Sequence, residues 1–257
     1  MIKIEFLKYC AMLLLCDKRR HMQKSTLDEI EARFDQDVER FSNIETGQAT
    51  TLDARFNMEL ITDCITAVYT DKINVLDIGC GAGNYAVRLL QKVQAADVTL
   101  VDLSMPMLEK ASERTIAENK GQVQIVKGDF RNVALPESGF DVIIATAVLH
   151  HLRDEQDWKD AFERLYRLIK PGGSLWVFDL VHQSESRLHE IIYYQRYGQY
   201  LTGLQDEAYQ QKVFDYIEKE DSPRPLVFQL DLLKEAGFQQ VDILHKNLCF
   251  ASYVGFK

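Results

Sequence analysis

From Ser25 onward the apolar residues recur at helical spacing. In STLDEIEARFDQDVERF, the residues Leu27, Ile30, Phe34, Val38 and Phe41 form one stripe. Hydroxyl residues open the segment and acids fill its first turns, as helix starts require. The pattern predicts one long helix, then a polar loop, SNIETGQATT, then a second amphipathic helix, LDARFNMELITDCITAVY. After Lys72 the pattern changes. Short, nearly unbroken apolar runs (INVLDIG, DVTLVDL, VQIVKGD, FDVIIATAVL and GSLWVFDLV) alternate with amphipathic segments such as NYAVRLLQKVQ, SMPMLEKASERTIAEN and DEQDWKDAFERLYRLI. Ser104 fits an N-cap, and Pro106 sits where a first helical turn tolerates proline. Near-continuous apolar strands alternating with helices predict a parallel sheet covered on both sides.

The alternation stops after Val181. Residues 182–222 read as helical throughout, with Gly198 and Gly203 as candidate breaks. SPRP then marks a loop, FQLDLLKEAGF a helix with a left-handed cap at Gly237, and QQVDILHK and LCFASYVGFK two closing strands. The chain shows no internal repeat.

Composition narrows the function classes. The chain has 257 residues, 46% hydrophobic and 27% charged, with a formal net charge of −9. That is an ordinary globular composition, long enough for one large domain. An acidic chain lacks the basic footprint that a phosphate backbone rewards, so there is no direct sign of nucleic acid. The five cysteines are dispersed, with no CxxC pair. This fits reduced thiols in a cytoplasmic protein and predicts no metal site. Cys80, inside a glycine turn, is read as a small filler in preference to a reactive thiol. Residues 1–21 carry an apolar stretch between charged ends. The stretch is too short and too charged to span a bilayer and lacks a small-residue cleavage site, so the segment is expected to be an extension outside the folded unit. No other segment approaches a transmembrane length.

The chemistry concentrates at VLDIGCGAGNY. A strand ends at Asp77, and Gly79, Gly81 and Gly83 follow on alternate positions. In a parallel α/β sheet, ligands lie at the carboxyl ends of the strands, and glycine lets a ligand approach the main chain. The next helix start offers free N–H groups to something polar. The spacing is GxGxG with Asn84 at the sixth position, where the dinucleotide fingerprint has its third glycine. Asp102 ends the second strand, where an acid can accept hydrogen bonds from ribose hydroxyls. Asp129 and Phe130, in VKGDF, end the third, where an acid beside an aromatic can bind an exocyclic amine and cover a flat base.

Together these motifs resemble the class I S-adenosylmethionine-dependent methyltransferases. DIGCGAG is similar to the family's glycine loop, VTLVDLS to its ribose-binding strand end and GDF to its adenine-contacting position. FDVIIATAVLHHL resembles the fourth-strand motif and LIKPGG the turn before strand five. The likeness is strong over about residues 60–181 and weaker to the end of the chain. It implies an α/β, Rossmann-like, seven-stranded mixed sheet of order 3-2-1-4-5-7-6 with strand seven antiparallel. Residues 22–257 would form the methyltransferase domain, with a helical N-terminal cover and a helical cap inserted at about 182–222.

The resemblance also implies residue roles. Gly79 and Gly81 would pass the backbone close to the methionine part of S-adenosylmethionine, and Asp77 would orient its ammonium. Asp102 would hold the ribose, Leu103 would pack on adenine, and Asp129 and Phe130 would meet the adenine amine and ring. Ala145 would face the cofactor's centre. The acceptor is expected to be a small molecule, because the position of the D/NPPY motif of members acting on DNA bases or glutamine reads ATAVLHH here. His150 and His151 are candidate bases after strand four. Phe34 on the cover, and Tyr193, Arg196, Tyr197 and Tyr200 on the cap, are candidate acceptor contacts. The alternative reading of that face is packing, including a homodimer through the cap. Other readings are a carboxy-S-adenosylmethionine synthase-like enzyme of tRNA modification, a nicotinamide-dependent oxidoreductase and a non-catalytic cofactor-binding module.

Overall fold

The computed structural model describes residues 24–93 and 95–257. The expectation for residues 1–21 lies outside them. Seven strands form one sheet of order β3-β2-β1-β4-β5-β7-β6, the order that the resemblance implies. The strands are β1 (Ile73–Ile78), β2 (Ala96–Asp102), β3 (Val123–Lys127), β4 (Phe140–Thr146), β5 (Ile169–Leu180), β6 (Gln240–Asn247) and β7 (Phe250–Phe256). β1 pairs in parallel with β2 and β4, β2 with β3 and β4 with β5, whereas β7 runs antiparallel to both of its neighbours. The order reverses between β1 and β4, which places the ligand crevice at their carboxyl ends.

Alternation along the strands builds two cores. Val75, Val98, Leu100, Val142, Ile144, Trp176 and Phe178 pack on one face. Leu76, Ile78, Val101, Ile143, Leu175 and Val177 pack on the other. No helix among the described residues is long and apolar enough to cross a membrane.

The first predicted helix is divided. α1 (Leu27–Gln36) ends at Asp37, and α2 (Val38–Ser42) begins there. Thr26 and Glu29 close a capping box at the start of α1, satisfying two end donors reciprocally. The break folds the chain so that the Phe41 ring lies 5.5 Å from that of Phe34. A straight helix would hold those rings about two turns apart, roughly 10 Å along its axis. The predicted stripe is mostly not core: Ile30 is its one buried member in α1, and Leu27 is exposed. The loop that follows holds a short helix, α3 (Ile44–Gly47), and then comes α4 (Ala54–Val68). The sheet helices are α5 (Asn84–Leu90), α6 (Met105–Glu118) and α7 (Glu155–Leu168).

After β5 the cap begins with α8 (Ser186–His189), which runs on through a π-helical stretch, Glu190–Tyr197, into α9 (Gly198–Leu204). Gly198 does not break it. The turn comes after Leu204, and α10 (Glu207–Glu220) folds back. The returning helix passes close to Gly198, where an added Cβ would lie 2.2 Å from the tip of the Gln210 side chain and 3.4 Å from the Phe214 ring. α11 (Leu226–Ala236) then packs on the sheet face opposite the cap, with the left-handed Gly237 closing it as expected.

Candidate active site

A cavity of about 360 Å³ opens at the carboxyl ends of β1, β2 and β4, under the N-terminal cover. This volume is in the range of small-molecule sites. Its floor is the loop between β1 and α5. There Gly81 has φ +50°, and a Cβ added to it would meet no protein atom within 4 Å, because that direction is open cavity. Gly83, at φ +80°, serves packing instead: an added Cβ would lie 3.0 Å from the Ala111 Cβ and 3.1 Å from its Cα.

Asp102 closes one wall. Its carboxylate accepts hydrogen bonds from the Gly81 N–H (2.8 Å) and the Ser104 N–H (2.9 Å), tying the glycine loop to the end of β2. Burial raises its pKa, and the N–H donors of Ser104, Gly81 and Leu103 oppose the rise. Leu103, Asp129, Phe130 and Gly79 also line the cavity. Asp129 is already engaged: its carboxylate accepts from the Arg131 backbone and guanidinium, the latter also paired with Asp157 at 3.2 Å.

Two of the sequence candidates for the cofactor half stand elsewhere. Ala145 is fully buried in the second core, and Thr146, Ala147 and Val148 form the cavity wall in its place. The reason is the strand's alternation: Ala145 shares its face with Ile143, pointing into the sheet's helix layer. Ala147 carries φ +51°, an uncommon conformation for a residue with a side chain, at the point where β4 turns into the site. Asp77 is buried behind the glycine loop, off the cavity wall. Both of its oxygens lack a hydrogen-bond partner of ordinary geometry. Burial and the Asp102 charge push its pKa up to about 8, against a small opposing effect of the Ala86 N–H.

This shift has a sign that can be checked. An unfolded chain releases the Asp77 proton near its ordinary value of 3.8, whereas the fold holds it to about 8. Between those values the native state binds the extra proton, so this group lowers stability as pH rises from about 4 to about 8, and no further above that. Asp77→Asn should therefore raise the ligand-free melting temperature more at about pH 8 than at about pH 5. Thermal unfolding at both values measures it. Equal changes would mean that the carboxyl is not raised.

Cys80 lines the cavity, but burial raises its thiol pKa well above the ordinary value. That makes it an inert filler and not a nucleophile.

The roof is α1 and α2, with Leu27, Ile30, Phe34 and Phe41 facing in. Glu31 pairs with Lys127 at 2.7 Å, and the Ser104 hydroxyl donates to Asp35 at 2.5 Å. The Asn84 amide donates to Phe41 O at 2.9 Å while accepting from Arg114 at 2.9 Å. The residue at the third fingerprint position thus holds the roof down. Ser25 and Arg33 both reach Glu220 at the end of α10, each at 2.8 Å. Phe34 is the only predicted acceptor residue that the structure brings to the cavity.

The cap residues predicted as acceptor contacts lie elsewhere. Tyr193 and Tyr197 are buried among Tyr194, Phe214 and Phe250, and Arg196 is exposed. The Tyr197 hydroxyl donates to Thr50 O and that of Tyr200 to Ala49 O, both at 2.8 Å. The aromatic stripe joins the cap to the 49–50 loop and β7, because flat apolar rings with polar tips are satisfied where a core meets a main chain.

The two histidines separate. His151 lines the cavity, and His150 does not. His150 Nδ1 is hydrogen-bonded to the buried Asp179 carboxylate at the end of β5. The other Asp179 oxygen accepts from the N–H groups of Leu149 (2.8 Å) and His150 (3.1 Å). Burial alone would lower the His150 pKa, but Asp179 and Asp221 outweigh it and push it up to about 9. Asp221, the last cap residue before SPRP, was not legible as a site residue. It lies 70 positions from His151 and only the folded cap brings it near.

Residues 75–173 match the family described as a methyltransferase domain. An uncharacterized methyltransferase of Mycobacterium tuberculosis is 36% identical over 110 residues, covering 43% of this chain and 52% of the relative. The match thus spans about half the length of that relative. A demethylmenaquinone methyltransferase of Listeria monocytogenes is 25% identical over 189 residues, covering 72% of this chain and 78% of the relative. Among solved structures, human N-acetylserotonin methyltransferase in complex with SAM superposes with a TM-score of 0.61 at 20% identity. It covers 95% of this chain and 65% of the human one, and carries the fold.

Proposed function

We propose that this chain, whose residues 75–173 match a methyltransferase domain, transfers a methyl group from S-adenosylmethionine to a small-molecule acceptor. The observation that carries the reading is the cavity itself. The glycine loop, Asp102 and the β3 end line one half of it, and a largely apolar roof closes the other. The open space beside Gly81, with Asp102 on the adjoining wall, fits a ligand that carries a nucleoside and passes close to the main chain. The dinucleotide alternative loses its support, since Asn84 is committed to the roof.

When bound, the sulfonium supplies a methyl group that is already electrophilic. The chain's task is to hold and align. Asp102 is placed to accept from ribose hydroxyls, and Leu103 and Phe130 to flank a base. Thr146 to Val148 form the wall past β4. Leu27, Ile30, Phe34 and Phe41 exclude water and offer apolar contact to the acceptor, so most of the acceleration comes from orientation. An apolar roof and the Listeria relative both support a small, partly apolar acceptor. Among the described residues the thiols Cys64, Cys80 and Cys249 are free, which fits a reducing compartment such as the cytoplasm. A homodimer through the cap would use its exposed Leu188, Ile191 and Leu204.

Asp102→Ala tests the reading. It should weaken S-adenosylhomocysteine binding by about 1.5–3 kcal/mol, the usual worth of hydrogen bonds to a charged group. It should also lower stability, since the Gly81 and Ser104 N–H groups lose their acceptor. Calorimetry on the variant decides it. Unchanged affinity would mean that the ribose is held elsewhere.

A further inference from the structure

The 3₁₀ turn after β4 (Leu149–His151) meets the end of the cap in a cluster that methyl transfer does not require. His150 Nε2 lies 3.7 Å from Asp221 Oδ1, and His151 Nδ1 lies 3.1 Å from the same oxygen. Each of the three residues offers one ligand atom within 4.8 Å of those of the other two. We propose that His150, His151 and Asp221 form a binding site for a divalent first-row transition-metal ion of the zinc class, at the acceptor end of the cavity.

Four observations converge on it. First, the separations suit shared coordination: two donors held about 2.0–2.2 Å from one ion at a tetrahedral angle sit roughly 3.4 Å apart. A small rotation of the imidazoles closes the remaining distance. Second, the histidine ligand is supported from behind. His150 Nδ1 is hydrogen-bonded to Asp179, leaving Nε2 aimed at Asp221, and such carboxylate–histidine pairs orient metal ligands in known sites. Third, His151 Nδ1 and Asp221 Oδ1 are buried yet make no hydrogen bond of ordinary geometry, although they face each other. A shared ion would satisfy both lone pairs, which a direct contact without a well-placed proton does not. Fourth, the neighbouring cations act on Asp221 by charge but give their hydrogen bonds to main-chain oxygens and not to its carboxylate. Lys24 donates to the backbone oxygens of Glu218 and Asp221, and Arg153 to those of Glu220 and Ser25. The backbone holds the two halves together, since the Ser222 N–H donates to His150 O at 2.7 Å.

The donor set sets the class of ion. Two imidazoles and a carboxylate suit zinc and its first-row neighbours and not magnesium or calcium, which prefer all-oxygen shells. Three protein ligands also leave a coordination position open. His151 is the ligand residue on the cavity wall, so that position could take an oxygen of the acceptor. This last assignment rests on the methyl-transfer reading, whereas ion binding does not.

The test uses the full chain, stripped with a chelator, dialysed and titrated with zinc chloride by calorimetry. A parallel titration uses cobalt chloride, followed by visible absorption. The expected result is one equivalent bound, with a cobalt band of nitrogen–oxygen coordination. Asp221→Asn and His151→Gln should each lower the affinity at least about tenfold, and Asp179→Asn about 10–100-fold through the supporting bond. Circular dichroism shows that each variant is folded, and S-adenosylhomocysteine titrated in chelator reports separately on the cofactor site. His151→Gln, at the cavity wall, is the variant least exposed to folding defects. Absence of zinc binding to the wild-type chain, or binding that His151→Gln leaves unchanged, overturns the site. Failure to bind S-adenosylhomocysteine overturns the methyl-transfer reading instead.

Discussion

Gly81→Ala should leave the protein folded and remove measurable cofactor binding, a loss of about 100-fold or more, equivalent to roughly 2.7 kcal/mol. The two effects separate because of where the added methyl goes. In the fold it meets no protein atom within 4 Å, so nothing needs to be repacked. The φ of +50° costs a non-glycine residue about 1–2 kcal/mol, a modest fraction of a domain's stability. The methyl does, however, enter the cavity beside Asp102, where the bound cofactor would approach the main chain. Circular dichroism and S-adenosylhomocysteine calorimetry measure the two quantities. Near-wild-type affinity in the folded variant would show that the ligand does not cross this turn.

Tyr197→Ala should damage stability and not the cofactor site. The side chain is 1% exposed, its ring packs against those of Tyr193, Phe214 and Phe250, and its hydroxyl donates to Thr50 O. Truncating a buried aromatic costs about 3–5 kcal/mol, on the order of a 10 °C fall in melting temperature for a domain of this size. The affinity for S-adenosylhomocysteine should stay within a few-fold of wild type at a temperature where the variant is folded, because no atom of Tyr197 lines the cavity. An unchanged melting temperature with lost turnover would return the tyrosine to the acceptor site.

The parts legible in the sequence were those written in local pattern. Unbroken apolar runs ended by Asp77, Asp102 and Gly128–Asp129 marked strands that stop at a ligand crevice, and the alternation with helices fixed their direction. The sheet order came through the likeness of motifs, since no local pattern says that β7 inserts between β5 and β6. What stayed hidden was non-local. The stripe from Leu27 to Phe41 looked continuous, but α1 and α2 divide at Asp37, and the rings turn toward a cavity instead of a core. Tyr193 and Tyr197 shared a helix face, as their spacing indicated. Spacing alone could not say whether that face meets a ligand or the chain's own β7 and 49–50 loop. Ala145 was displaced by one residue from the wall, and in a strand one residue reverses the side-chain direction. Asn84 showed an absence, the missing third glycine, and the structure supplies its use as the tie to the roof. Asp221 carried no local signal, because its partners lie about seventy residues away in the chain.

The central claim is that the cavity over the glycine loop is an S-adenosylmethionine site. Calorimetric titration of the purified wild-type chain with S-adenosylhomocysteine, and separately with NADH, tests it most directly. Saturable one-to-one binding of S-adenosylhomocysteine with no response to NADH is the predicted result. Saturable NADH binding without a response to S-adenosylhomocysteine would contradict it.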